Sequence, residues 1–225
     1  MCGRFSLAPP DQASLAARFG FSQTVDVGPR FNIAPGSEVL VVVGASPPRA
    51  ERMLWGLIAP WAKDPSSGFK AINARAETVA SKPMFRESFE KRRCLVIADG
   101  FYEWQRVSSG KRPWHVTRLG GAPFAFAGLW ASWGDGSAAA IASVAIVTVE
   151  APPALARIHD RMPVILDPSV EARWCDPETQ AEELARMLVA LPDREIAARP
   201  VSSAVNSARY DGPECLDAPH SEDAS

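Results

Sequence analysis

Apolar and polar positions divide the chain into many short elements. Residues 38–43 form an almost unbroken apolar run, and 52–58 form a second β-rich run beyond a Gly/Pro turn, which predicts a strand pair. The longest β-rich stretch, 94–104, predicts one buried strand followed by a Ser-Ser-Gly-Lys turn. Further strands are predicted at 114–118, 124–133, 143–149 and 164–166, with a short extended piece at 71–75. Helical spacing appears at 11–19, where Asp11 caps, Leu15, Ala16 and Phe19 face inward, and Gly20 stops the helix. Other helices are predicted at 83–90, from Pro168 behind the cap Asp167, at 178–191, and as one turn from Pro152-Pro153. Residues 25–36 and 59–68 are punctuated by Pro and Gly and read as ordered loops.

This order of elements predicts an α+β fold, with a mainly antiparallel, curved sheet and short flanking helices. Neither an internal repeat nor a dividing linker is present, so residues 1–216 are expected to form a single domain, with 217–225 a disordered tail. The chain has 225 residues, enough for one substantial core. No apolar run approaches the roughly 20 residues of a membrane span, and no signal-peptide pattern opens the sequence. A cytoplasmic protein, associated with the nucleoid when bound to DNA, is the expectation.

Charge changes this picture in one respect. The net charge is −2, yet residues 1–166 carry 19 basic and 13 acidic side chains, against 5 and 13 in 167–225. Arginine outnumbers lysine 19 to 5, which suits bidentate phosphate contacts. The cysteines at 2, 94, 175 and 215 form no C-x-x-C pair and have no histidine at metal spacing. No metal or cofactor is expected, and Cys94, Cys175 and Cys215 read as structural thiols.

Cys2 is different. Removal of Met1 would leave an α-amine and a thiol on adjacent carbons, a 1,2-aminothiol that condenses with aldehydes to a thiazolidine. An α-amine titrates near about 7.7, against about 10.4 for lysine, so a useful fraction is neutral and nucleophilic at pH 7. Three extended motifs could meet it. In Ile72-Asn73-Ala74-Arg75, strand alternation puts Asn73 and Arg75 on one face. Glu103 lies between Tyr102 and Trp104, where desolvation would raise its pKa toward neutrality. In Ile158-His159-Asp160-Arg161-Met162-Pro163, an extended backbone would project His159 and Arg161 together, while His115 and His220 are weaker candidates. Trp61 and Trp104 supply flat surfaces for a base or sugar.

Several motifs then follow one another in order: Cys2-Gly3-Arg4-Phe5, Phe31-Asn32-Ile33-Ala34-Pro35, Trp55-Gly56-Leu57, Ile72-Asn73-Ala74-Arg75-Ala76-Glu77-Thr78, Ala98-Asp99-Gly100-Phe101-Tyr102-Glu103-Trp104, Ile158-His159-Asp160-Arg161-Met162-Pro163 and Pro200-Val201-Ser202. Over roughly residues 2–216 the chain resembles the SRAP (SOS-response-associated peptidase) family of abasic-site processing proteins. The resemblance implies a barrel-like, mainly β variant of the α+β fold. It also implies binding of single-stranded DNA and covalent capture of the ring-opened deoxyribose aldehyde at abasic sites, in the DNA damage response. It gives Cys2, Asn73, Glu103 and His159 the catalytic roles. Arg4, Arg75 and Arg161 would hold phosphates, and Asn32, Pro35, Trp61 and Trp104 would complete the DNA surface. No membrane or metal partner is implied, and a monomer is expected. One departure is Tyr210, where family members often carry Asn; it lies outside the proposed chemistry.

Two other readings remain open on the sequence. The first is a cysteine peptidase acting on its own Met1 or on other chains through Cys2, His159 and Asn73. The second is a non-covalent reader of single-stranded DNA. Hydrolase, peptidase and lyase activities are all types that the resemblance brings with it.

Overall fold

The computed structural model describes residues 2–8, 11–26, 28–108, 110–134 and 140–219. Strands β3 (Glu38–Val43), β4 (Arg49–Trp55), β6 (Arg93–Ala98), β9 (Phe124–Trp133) and β10 (Ile141–Glu150) form a closed five-stranded barrel. Its order is β4-β3-β6-β9-β10, and closure comes from the parallel pairing of β10 with β4 through Ser143↔Leu54 and Val144↔Trp55. All other barrel pairings are antiparallel. Strands β3 and β6 are each paired on both sides and are buried at almost every position, which is why both read as nearly unbroken apolar runs. Two short strands, β5 (Asn73–Arg75) and β11 (Arg161–Pro163), attach to the far end of β10.

A second, antiparallel sheet has the order β12-β8-β7-β1-β2. Here β1 is Phe5–Leu7, β2 Arg30–Ile33, β7 Gly100–Val107, β8 Gly110–Arg118 and β12 Ile196–Pro200. It packs on the barrel through an aromatic cluster. The Phe5 ring lies 5.0 Å from Trp55 and 5.7 Å from Phe126, both edge-on, and Phe101 lies 6.2 Å from Phe126. Edge-to-face pairs of this kind add about 0.5–1.5 kcal/mol each beyond the area they bury.

The α+β class and the curved, mainly antiparallel sheet are as the sequence predicts. The first helix, α1 (Gln12–Phe19), follows the pattern closely: the Asp11 carboxylate accepts from the Ser14 amide, Gly20 ends the helix at φ 74°, and Leu15 and Phe19 are buried. Helix α2 (Pro83–Lys91) and the turn α3 (Pro153–Ala156) also stand where expected.

Several boundaries differ. The stretch 94–104 is two strands in two different sheets, β6 and β7, broken at Asp99. That carboxylate turns back to accept from the Ser6 hydroxyl at 2.6 Å and the Ala8 amide at 2.6 Å. The loop expected over 25–36 contains β2, which pairs with β1 and donates the backbone N–H groups of Phe31 and Asn32 to Asp211, far along the chain. The strand predicted at 52–58 begins at Arg49 and ends at Trp55. Pro168 does not open a helix: Asp167 caps a turn by accepting from Ser169, and α4 starts at Glu171. The helix expected over 178–191 is confined to α5 (Ala181–Met187). The strand at 164–166 lies earlier, at β11, leaving only an isolated bridge from Ile165 to Phe126. Of the expected tail, Asp217 is held by the Ser202 amide at 2.9 Å, and 220–225 lie outside the described residues.

Gly100 is required by packing. A Cβ there would lie 2.1 Å from Nε2 of His115, whose ring is buried and 2.9 Å from the Ser6 hydroxyl. Gly100→Ala is therefore expected to destabilise the fold by about 1–3 kcal/mol, from overpacking at the β1–β7–β8 junction. Urea unfolding followed by fluorescence measures this, and an unchanged midpoint would mean that His115 can step aside.

Candidate functional site

The site forms where the outer ends of β5, β7 and β11 converge beside the N-terminus. Strand β1 pairs on one side with β2 and on the other with β7, with Phe5 opposite both Ile33 and Phe101. The Tyr102 amide donates to the Arg4 carbonyl at 3.0 Å, which extends the register one residue toward the terminus. Phe5 is fixed in the core, so the three residues before it have little choice of path, and Cys2 arrives fully buried.

Asn73 meets it from β5. Its amide Nδ2 donates to the Cys2 carbonyl at 2.7 Å, and its Oδ1 is buried with no hydrogen-bond partner among the described residues. A buried acceptor left open in this way costs on the order of 1–3 kcal/mol, a pattern typical of a group that waits for a ligand. The predicted alternation holds, with Ala74 buried and Arg75 exposed.

Glu103, on β7, is only 4% exposed. Its Oε2 lies 3.8 Å from Nε2 of His159. Burial pushes the Glu103 carboxyl from its ordinary 4.5 up to about 7. His159 moves the other way, its pKa lowered by burial. The Arg161 amide donates to His159 Nδ1 at 3.0 Å, and the Asp160 carboxylate lies equally near that nitrogen. The two contacts favour opposite tautomers. The backbone amide cannot turn away, whereas Asp160 is 87% exposed and can, so the neutral ring carries its proton on Nε2, toward Glu103. Burial pushes the Cys2 thiol well above its usual range, and the Glu103 carboxylate adds to the effect.

The predicted DNA-facing residues divide into two groups. Arg4 Nη1 donates to Asn32 Oδ1 and to the Val205 carbonyl, both at 2.8 Å, and its guanidinium lies 5.8 Å over the Trp104 ring. Trp104 in turn donates its indole N–H to Asn206 Oδ1 at 2.7 Å. Asn32 is buried, and its amide donates to the carbonyls of Val205, Ser207 and Tyr210. Asn32 thus sits beneath the surface as the clamp that holds Arg4. Arg161 is also committed internally, with two bonds to Glu77 at 2.6 and 3.0 Å and one to the Thr148 carbonyl at 2.6 Å.

By contrast, Trp61 is 65% exposed and lines a cleft with Lys63, Lys70 and Met84, apart from Cys2. Pro35 occupies a tight turn closed by the Ser37 amide on the Ala34 carbonyl, with Gly36 at φ 83°, as a type II turn requires. Asn206 and Asp211, which hold Trp104 and β2, carry no local signal in the sequence; they lie more than a hundred residues from one or both of the groups they bind. His115 is a structural residue: burial lowers it to about 4, beside Ser6. Among the described residues no cluster of His, Cys, Asp and Glu could hold a metal ion.

The family described as SOS response associated peptidase (SRAP) matches residues 1–208 of this chain. The chain is 39% identical over 224 residues to abasic site processing protein YoaM of Bacillus subtilis, spanning 97% of this chain and 98% of that one. It is 30% identical to abasic site processing protein YedK of Escherichia coli, spanning 96% and 99%. A solved structure from Bacteroides thetaiotaomicron superposes with a TM-score of 0.87 at 23% identity, covering 96% and 99% of the two chains, a likeness of fold.

The raised Glu103 pKa has a sign that can be measured. The folded state keeps this proton between about pH 4.5 and 7 while the unfolded state releases it, so wild-type stability falls as pH rises through that window. Glu103→Gln does not titrate. The stability of the variant relative to wild type should therefore be greater at pH 8 than at pH 5, by about 1–3 kcal/mol. Urea unfolding of both proteins at the two pH values gives the comparison; equal differences would refute the buried, raised carboxyl.

Proposed function

The chain belongs to the SOS-response-associated peptidase family, and on that premise we propose that it captures abasic sites in single-stranded DNA through Cys2, once Met1 is removed. The observation that carries this reading is the convergence on Cys2 of the Asn73 amide, at 2.7 Å from its carbonyl, and the Glu103–His159 pair, whose nearest atoms are 3.8 Å apart.

The chemistry balances without oxidant or metal. The neutral Cys2 amine adds to the C1′ aldehyde of the opened sugar, giving a carbinolamine. Protonation of its hydroxyl releases one water and leaves an iminium, whose N–H proton returns to the carboxylate to give the imine. The thiol then adds to the imine carbon, and its proton passes to nitrogen, closing a thiazolidine. Glu103 near neutrality suits the proton donor for water loss, with the His159 Nε2–H facing it as a donor that steadies the carboxylate left behind. Asn73, already on the Cys2 carbonyl, has its second amide atom open to orient the amine or the sugar. Arg4, stacked on Trp104, is preorganised for a flanking phosphate.

The peptidase reading fits less well. A thiol protease needs its sulfur as thiolate, and here both burial and Glu103 favour the protonated thiol. Both ring nitrogens of His159 face other groups, Nδ1 the Arg161 amide at 3.0 Å and Nε2 the Glu103 carboxyl at 3.8 Å.

The test is a denaturing gel after incubation with a single-stranded oligonucleotide bearing one abasic site. The wild type, shown by intact mass to lack Met1, should give a covalent band. Cys2→Ala, or an added residue before Cys2, should abolish it, and Asn73→Ala should slow it by at least tenfold. Absence of the band with correctly processed wild type overturns the proposal. Cys2-dependent cleavage of unrelated peptides would restore the peptidase reading.

A further inference from the structure

Strand β5 runs into a tight turn that brings a carboxylate against an arginine of β11. The Thr78 amide donates to the Arg75 carbonyl at 3.1 Å, and Glu77 lies within that turn. Its two oxygens accept from Arg161 Nη1 and Nη2 at 2.6 and 3.0 Å, a parallel fork of the kind that a phosphate also takes. Arg161 is held from a second direction, since Nη2 donates to the Thr148 carbonyl at 2.6 Å. Glu150 stands opposite Arg161 in the β10–β11 register, yet the ion pair forms with Glu77.

The two partners are not equally fixed. The Arg161 side chain is 13% exposed, whereas that of Glu77 is 52% exposed. When the pair opens, the carboxylate can turn into water and recover its hydration, while the guanidinium stays on the Thr148 carbonyl. Arg75, exposed two residues before Glu77, adds a weaker attraction: the Glu77 carboxyl is held below its usual range first by the Arg161 hydrogen bonds and last by Arg75. Glu77 thus fills an anion position bounded by two arginines. That position adjoins the site. The Arg161 amide donates to His159 Nδ1, and Arg75 shares a face of β5 with Asn73, about 7 Å further along the strand.

We propose that Glu77 is the resident counter-anion of a phosphate site: it pairs with Arg161 in the free protein and yields its place to a backbone phosphate flanking the lesion. This rests on the reading that the Cys2 site takes abasic single-stranded DNA. One anion sits on Arg161 before and after the exchange, so the half-buried cation is stranded in neither state. The competition makes every strand bind less tightly than open arginines would hold it. Capture of a lesion tolerates this, because the strand must stay only long enough to react. An undamaged strand has nothing to react with and leaves sooner, so Glu77 lowers affinity in favour of selectivity.

The experiment measures the affinity of the full chain for a single-stranded oligonucleotide with a tetrahydrofuran in place of the abasic sugar, an analogue that has no aldehyde and binds without crosslinking. Glu77→Gln should bind it about threefold to tenfold more tightly than wild type, as loss of one competing ion pair allows. The gain should vanish when both proteins also carry Arg161→Gln. A neutral methylphosphonate at one linkage beside the analogue should erase the gain with Arg161 intact, which keeps the test decisive where the Arg161 variants do not fold. Equal or weaker binding by Glu77→Gln overturns the proposal and makes Glu77 a support for Arg161. A gain that survives both the loss of Arg161 and a methylphosphonate at each flanking linkage in turn also overturns it, since only a negative charge near DNA has then been removed. Crosslinking to a true abasic site is scored separately. The predicted gain in a protein that forms no crosslink supports the counter-anion and overturns the covalent reading, whereas a crosslinking wild type without the gain overturns the counter-anion alone.

Discussion

Everything at the site depends on where Phe5 is buried. Its ring is held edge-on between Trp55 and Phe126, at the junction of sheet and barrel, and its backbone is paired on both sides. A phenylalanine in such a position contributes several kcal/mol, enough to fix a terminus that would otherwise fray. Only two residues separate Phe5 from Cys2, so the core sets the position of the reactive terminus to within the freedom of Gly3 and Arg4. Terminal residues are ordinarily poor sites for chemistry that needs positioning. Here a strand buried between two partners removes that objection.

The same strand imposes a cost on its other face. Ser6 is buried and would be stranded without Asp99 and His115, which lie within 2.6 and 2.9 Å of its hydroxyl. Arg4, next along that face, is satisfied by Asn32 and by the carbonyl of Val205. Asn32 in turn binds the 205–210 segment at three carbonyls, and Asp211 binds β2 at two amides. The C-terminal segment is thus the lid over the polar face of β1, and Tyr102, Val201, Val205 and Cys215 form a small second core beneath it. Tyr210 joins this clamp through its carbonyl, which any side chain would supply.

Local signals explain what was legible in the sequence. Helix α1 carries its own cap, apolar stripe and terminal glycine, and β9 is a ten-residue apolar strand whose predicted ends match. The side chains that meet beside Cys2 could be picked out because each sits in a short motif with an unusual residue, such as a glutamate set among aromatics. What was missed is settled by partners remote in the chain. Strand β2 exists because β1 pairs with it on one side and Asp211 takes two of its amides, and β12 because β8 offers it an edge. The division of 94–104 into β6 and β7 depends on Ser6 and Ala8 capturing Asp99, which no periodicity reports. Asn32 and Arg161 illustrate the same limit at the site. Their side-chain types suit DNA, yet the folded chain uses both internally, against Val205, Ser207 and Tyr210 in one case and Glu77 in the other.

In the proposed condensation, the state of the Glu103–His159 pair matters more than either residue alone. Amine addition needs the amine neutral, whereas water loss needs an acid, and a strong acid beside the amine would protonate it. A carboxyl raised to about 7 is weak enough to leave a terminal amine partly neutral and still strong enough to donate. An imidazole kept neutral by burial adds no positive charge to a pocket that must hold an iminium. Burial, which shifts the two groups in opposite directions, brings both to the uncharged form at the same pH. That is the condition under which the carboxyl can give its proton for water loss, so that the carboxylate left behind balances the iminium formed beside it.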